Sequence, residues 1–111
     1  MTQLTIKELK EKISGGENFL LDLYATWCGP CRVMLSNLQN ISESLENKSI
    51  STYKLDIDGG DGEDRDYLIN ELGIRSVPTI KIFKEGKQVF SRVGVMSGHE
   101  VLTQVENIIN G

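Results

Sequence analysis

Residues 18 to 25 read NFLLDLYA, and nearly every position is apolar. That pattern is expected of a strand buried on both faces of a parallel sheet, because such a strand has no side open to water. A strand of this kind needs layers above and below it, which points to helices elsewhere in the chain. One residue breaks the run: Asp22 puts a carboxylate in the middle of it.

The flanking segments supply those layers. Thr5-Ile6-Lys7-Glu8 has the capping-box form, and Ile6, Leu9 and Ile13 follow at helical spacing until Gly15-Gly16 ends the run. Met34, Leu38, Ile41 and Leu45 mark one face of a long helix that ends near Asn47. In SISTYKLDID, Tyr53, Leu55 and Ile57 alternate with Lys54 and Asp56, the period of a second strand. A Gly- and Asp-rich loop leads to a helix through Tyr67, Leu68 and Leu72, with Gly73 as its stop. VPTIKIF and QVFSRV flank KEGK as a hairpin. Ser97-Gly98-His99-Glu100 is a second capping box, followed by Val101, Leu102, Val105, Ile108 and Ile109. The order αβαβαββα is that of an α/β sandwich. With 111 residues and no repeat, linker or low-complexity tail, the chain reads as a single domain, residues 1–111.

Composition removes several classes of function. No apolar stretch approaches the roughly 20 residues needed to span a bilayer, and the N-terminus lacks a signal-peptide hydrophobic region or cleavage site. The expectation is a cytoplasmic protein without membrane contact. Net charge is −4, but the segment from Asp56 to Asp66 alone carries six acids against Arg65. No basic stripe of the kind that nucleic-acid binding requires is present.

The only two cysteines, Cys28 and Cys31, enclose Gly29 and Pro30. Such a pair is half a metal site, a structural clip or a redox couple. Two cysteines do not make the disulfide scaffold of a small secreted domain. A structural zinc needs about four ligands, and beyond the pair the chain offers only His99, far away at the start of the last helix. No metal is expected, and His99 reads as an exposed residue beside a cap. Placement favours redox chemistry. Cys28 falls where a strand ends and a helix begins, and Pro30 suits a first turn that needs no donor. Unpaired N–H groups and a partial positive charge at that end stabilise a thiolate. Cys28 is then the attacking nucleophile, and Cys31, one turn further in, resolves the mixed disulfide.

ATWCGPC resembles the active-site motif of the thioredoxin family. The likeness covers essentially the whole chain: FLLDLYATWCGPC is similar to the family's central strand and active site, and YKLDID to its next strand. GIRSVPTIKIFKEGK is similar to its proline loop and hairpin, and RVGVMS to the Gly-containing turn before its last helix. The resemblance implies a thioredoxin fold, a central mixed β-sheet flanked by helices. It also implies that Pro78 is cis and faces the disulfide, although trans is the default for an X–Pro bond taken alone. The backbone of Val77 would then be open to pair with an extended substrate segment, and a metal would be kept from the cysteines. Gly29, Pro30, Val77, Pro78, Val93, Gly94 and Val95 would form a flat apolar docking patch around Trp27, suited to extended protein segments.

Asp22 has two readings on the residues alone: near a strand end and in water, or buried with a raised pKa. The family has an Asp at this position, which implies the second, a proton acceptor for Cys31 during resolution. Lys54, otherwise a solvated lysine on a strand, matches the family's charge neighbour for that Asp.

Three features depart from the family. DIDGGDGEDRDY is longer than the usual connection. Read as an EF-hand from Asp56 it fails, with Asp61 and Tyr67 where Gly and Glu belong. It reads instead as a solvated acidic loop before a helix whose N-terminus accommodates Asp64 and Asp66. Ser36 stands where a proline commonly kinks the long helix, which implies a straighter helix. Tyr24 replaces a tryptophan, leaving Trp27 as the only indole.

The expected function is reduction of protein disulfides by a thiol–disulfide oxidoreductase without a bound cofactor. By the resemblance the protein is a monomer, and a thioredoxin reductase returns electrons drawn from NADPH. Substrates of that family include disulfide proteins such as ribonucleotide reductase and peroxiredoxins. Oxidase and isomerase relatives commonly carry a His between the cysteines, which Gly29-Pro30 argues against. An accessory binding subunit using the same apolar patch is the alternative from a different class.

Overall fold

The computed structural model describes residues 1–111. In chain order the elements are β1 (Thr2–Gln3), α1 (Ile6–Ser14), β2 (Phe19–Tyr24), α2 (Gly29–Asn47), β3 (Ser51–Asp56), α3 (Gly62–Asp66), β4 (Thr79–Lys84), β5 (Lys87–Val93) and α4 (Gly98–Asn110). The expected order is present with one addition in front. The two residues of β1 pair in parallel with Tyr53 and Lys54 of β3, and two residues are too few to show a period.

The sheet order is β1-β3-β2-β4-β5. Central β2 runs parallel to β3 and antiparallel to β4, so the sheet is mixed. Its apolar run is buried because helices cover both faces. Phe19, Leu21 and Leu23 join Ile6 and Leu9 of α1 in one core. Leu20 joins Met34, Leu38 and Leu45 of α2 and Val101 and Val105 of α4 in the other. Each such side chain contributes roughly 1.5–3 kcal/mol by leaving water.

Both capping boxes close reciprocally. Glu8 N–H donates to the Thr5 hydroxyl at 3.1 Å and Thr5 N–H to the Glu8 carboxylate at 3.0 Å. Ser97 and Glu100 repeat the exchange at 3.1 Å in both directions. The acidic loop is exposed from Gly59 to Glu63, as expected of a solvated run, and it enters α3 through Asp61, whose carboxylate accepts from Asp64 N–H at 3.0 Å. The acids of that first turn are Glu63 and Asp64, whereas Asp66 ends the five-residue helix rather than starting it. The helix expected through Tyr67 and Leu72 continues α3 as a π-helical turn, Tyr67–Glu71. The hairpin turns at Glu85-Gly86, both at positive φ, the primed geometry that matches strand twist.

Candidate active site at the N-terminus of α2

After β2 ends at Tyr24, three residues carry the chain to Cys28, the N-cap of α2. The Cys28 sulfur accepts from Cys31 N–H at 3.2 Å, so one of the unpaired donors of the helix already points at it. Pro30 lies in the first turn, where its missing N–H costs nothing. Cys28 and Cys31 form a disulfide with Cα atoms 5.3 Å apart. Only 5% and 3% of these residues are exposed. They pack with Ala25 and against Tyr24, Ile57 and Val77.

The contact with Val77 brings a second segment to the site. The Val77–Pro78 bond is cis, and the Thr79 hydroxyl spans it by donating to the Ser76 carbonyl at 2.6 Å. Val77 is half-buried, and its N–H and C=O take no part in the backbone hydrogen bonds of the loops and turns. A third segment follows from β5. Gly94 N–H donates to the Pro78 carbonyl at 2.8 Å. Its φ of 98° is a conformation that residues with a Cβ rarely adopt. Val93 and Val95 on either side are exposed, as are Gly29 and Pro30. Trp27, 70% exposed, stands beside them. Pro78 itself is buried beneath this surface rather than lying on it.

Asp22 is fully buried, at 0% exposure, and neither carboxylate oxygen has a hydrogen-bond partner. It is opposite Ile80 in the register, on the face that α2 covers, two residues from the end of β2 that leads to the cysteines. Loss of hydration raises its pKa from 3.8 to about 7, and the positive charge of Lys54 holds it from rising further. Lys54 is the direct neighbour of Asp22 across the parallel β2–β3 pair. Its ammonium lies over the Tyr24 ring, 5.8 Å from the centroid, and makes no ion pair with the acid.

One residue of the site, and one buried residue on the far face of the sheet, have no signature in the sequence. Asp58 accepts from the Trp27 indole N–H at 2.8 Å and lies 3.9 Å from the Arg65 guanidinium, so the acidic loop fixes the exposed ring. Beside it a groove of about 480 Å³ is floored by Ile57, Leu68 and Ile74 and rimmed by Trp27, Arg65 and Arg75. The second is Lys81, buried on β4 and donating to the Ser91 hydroxyl at 3.1 Å. No group of three or more His, Cys, Asp or Glu side chains is arranged to hold a metal ion. No helix is long and apolar enough to cross a membrane.

A cysteine pair whose first member caps a long helix just past the end of the central strand of a mixed sheet, beside an open apolar surface, carries out dithiol–disulfide exchange. This is the arrangement of a thiol–disulfide oxidoreductase. Residues 1–107 match the thioredoxin family. The thioredoxin of Rickettsia bellii is 30% identical over 97% of this chain and 98% of its own length. Thioredoxin Asp f 29 of Aspergillus fumigatus is 37% identical over 79% of this chain and 76% of its own. Among solved structures, chloroplastic thioredoxin z superposes with a TM-score of 0.83 at 26% identity, over all of this chain and 96% of that one. The chain belongs to the thioredoxin family.

Proposed function

We propose that the protein reduces disulfides of other proteins, with Cys28 as the nucleophile and Cys31 as the resolving thiol. In the reduced protein the Cys28 thiolate attacks one sulfur of the substrate disulfide, and the other substrate sulfur leaves as a thiolate. Cys31 then loses its proton to Asp22 and attacks the Cys28 sulfur. The second substrate thiolate departs, the Cys28–Cys31 disulfide remains, and two electrons have passed to the substrate. The observation that carries this order is the N-cap position of Cys28, where the Cys31 N–H and the helix terminus favour negative sulfur.

A pKa of about 7 suits Asp22 to take a proton near neutral pH and return it later. Lys54 tunes that acid through its charge. Trp27, Gly29, Pro30, Val77, Val93, Gly94 and Val95 form the docking surface, with Pro78 supporting it from below. An extended substrate segment would pair with the free peptide groups of Val77, as strands add to a sheet edge.

A thioredoxin reductase using NADPH would restore the dithiol. The protein would act as a monomer in the cytoplasm, on substrates such as ribonucleotide reductase or peroxiredoxins.

The deciding measurement is the equilibrium potential of the Cys28–Cys31 couple against a glutathione or dithiothreitol buffer. Reference values lie near about −270 mV for thioredoxin and about −180 mV for protein disulfide isomerase. A result at the lower end supports a reductase. A result at the upper end overturns that direction and makes the protein an oxidant or isomerase.

A further inference from the structure

The loop that carries Val93–Val95 is fastened to α2 by two bonds that the exchange chemistry does not use. The Asn37 side-chain amide donates to the Met96 carbonyl at 2.9 Å. The Met96 N–H donates to the Met34 sulfur at 3.1 Å. Met34 and Met96 are fully buried and Asn37 is half-buried. Met34 and Asn37 lie about one and two turns past Cys31, on the helix whose first turn holds the disulfide. On its other flank the loop is tied by Gly94 N–H to Pro78. Val95 lies between the two anchors, and together with Gly94 and Val93 at the end of β5 it forms the wall left to meet a partner.

Asn37 is polar beside the apolar face formed by Met34 and Leu38. A leucine there would leave the carbonyl of the buried Met96 without this donor, a loss that apolar packing does not replace.

We infer that Asn37 is a positioning residue for protein substrates: with the Met34 sulfur behind it, its bond to Met96 sets the Val93–Val95 wall at a fixed place beside the disulfide. The inference rests on the reading of Val93–Val95 as a docking surface. An extended protein segment touches Trp27, Val77 and this wall together, so its affinity depends on their spacing. A small disulfide needs only the cysteines.

The test is Asn37→Leu, which keeps the size and removes the donor, assayed with insulin and with a small aromatic disulfide. The expected result is a KM for insulin raised roughly fivefold, with kcat and the small-disulfide rate held within about twofold, the pattern of lost uniform binding. Hydrogen exchange at the Met96 amide, which donates to the Met34 sulfur, should quicken as well. An unchanged insulin KM overturns the inference. So does an equal loss on both substrates, which marks general damage. Met34→Leu, which removes the sulfur acceptor at nearly constant volume, should raise the insulin KM in the same direction, and it decides the matter if Asn37→Leu does not fold. Val95→Asp separates the two layers. If it raises the insulin KM and Asn37→Leu does not, the clamp fails and the docking surface stands. If it leaves KM unchanged, the docking surface fails and the inference goes with it.

Discussion

Asp22 on β2 and Lys81 on β4 are both ionisable, both all but sealed from water, and both pushed toward their neutral forms by burial. The register keeps them from neutralising each other. Asp22 is opposite Ile80 and Lys81 is opposite Leu21, so they project from opposite faces of the sheet. Lys81 has a long stem and uses it to bring its ammonium to the Ser91 hydroxyl on the exposed edge strand. Asp22 has one methylene and no such exit, and both its oxygens stay unpaired. An orphaned carboxylate in a core costs stability. Its retention on the α2 face, near the cysteines, fits a proton acceptor, whereas Lys81 faces away from α2 and has no step to serve.

The sharpest way to break this contrast is Asp22→Asn. Removing a general base is expected to slow resolution of the mixed disulfide about a hundredfold, measured as turnover with insulin. Equal turnover across the neutral and mildly alkaline range would end the proton-transfer role. Stability should move the other way. The folded pKa of Asp22 lies above its unfolded value of 3.8, so the native state holds the proton more tightly. Wild-type stability is then full at acid pH and falls as pH rises through about 7. A carboxyl moved from 3.8 to about 7 corresponds to roughly 4 kcal/mol. Asp22→Asn should recover up to that amount in urea unfolding at mildly alkaline pH and nothing near pH 4.

Lys81→Met tests the other half with a smaller effect. Its folded pKa is lowered by burial, so the cost of its charge is present at neutral pH and disappears as pH rises toward 10.5. Replacing it with an apolar side chain of similar length should stabilise the protein by about 1 kcal/mol at neutral pH, with turnover unchanged. The gain should fade at high pH, opposite in direction to the acid-side behaviour of Asp22→Asn. A turnover loss approaching that of Asp22→Asn would show that Lys81 belongs to the site.

The contrast also marks how far the sequence could be read. The capping boxes at Thr5 and Ser97, the buried run Phe19–Leu23 and the long helix from Gly29 rest on local chemistry and periodicity, and they are legible for that reason. Asp22 stood out because one charge interrupted an apolar run. Lys81 did not, because a lysine within TIKIF looks like the polar side of an alternating strand. Its burial depends on what packs over β4, and no local pattern encodes that. Asp58 and Asn37 escaped for the same reason. Their partners, Trp27 and Met96, are distant in sequence, and only the strand order and the placement of α2 bring them together. The π-helical turn and the two-residue β1 were too short to leave a period.

Lys54 gives the smallest and finest prediction, because it acts on the same acid from the neighbouring strand without bonding to it. Its charge opposes the rise in the Asp22 pKa, and Lys54→Met removes that opposition while keeping the stem over Tyr24. The Asp22 pKa should therefore move further up, and the pH at which resolution reaches half its maximal rate should move up with it. At pH 7 a few-fold loss of turnover is expected, since less of the acid is ionised and able to accept a proton. By about pH 9 the variant and the wild type should converge. A uniform loss at every pH would mean that Lys54 acts by contacting substrate or by shaping the strand. A profile that does not move would mean that burial alone sets the acid, and that the neighbouring charge on β3 is only a solvated lysine.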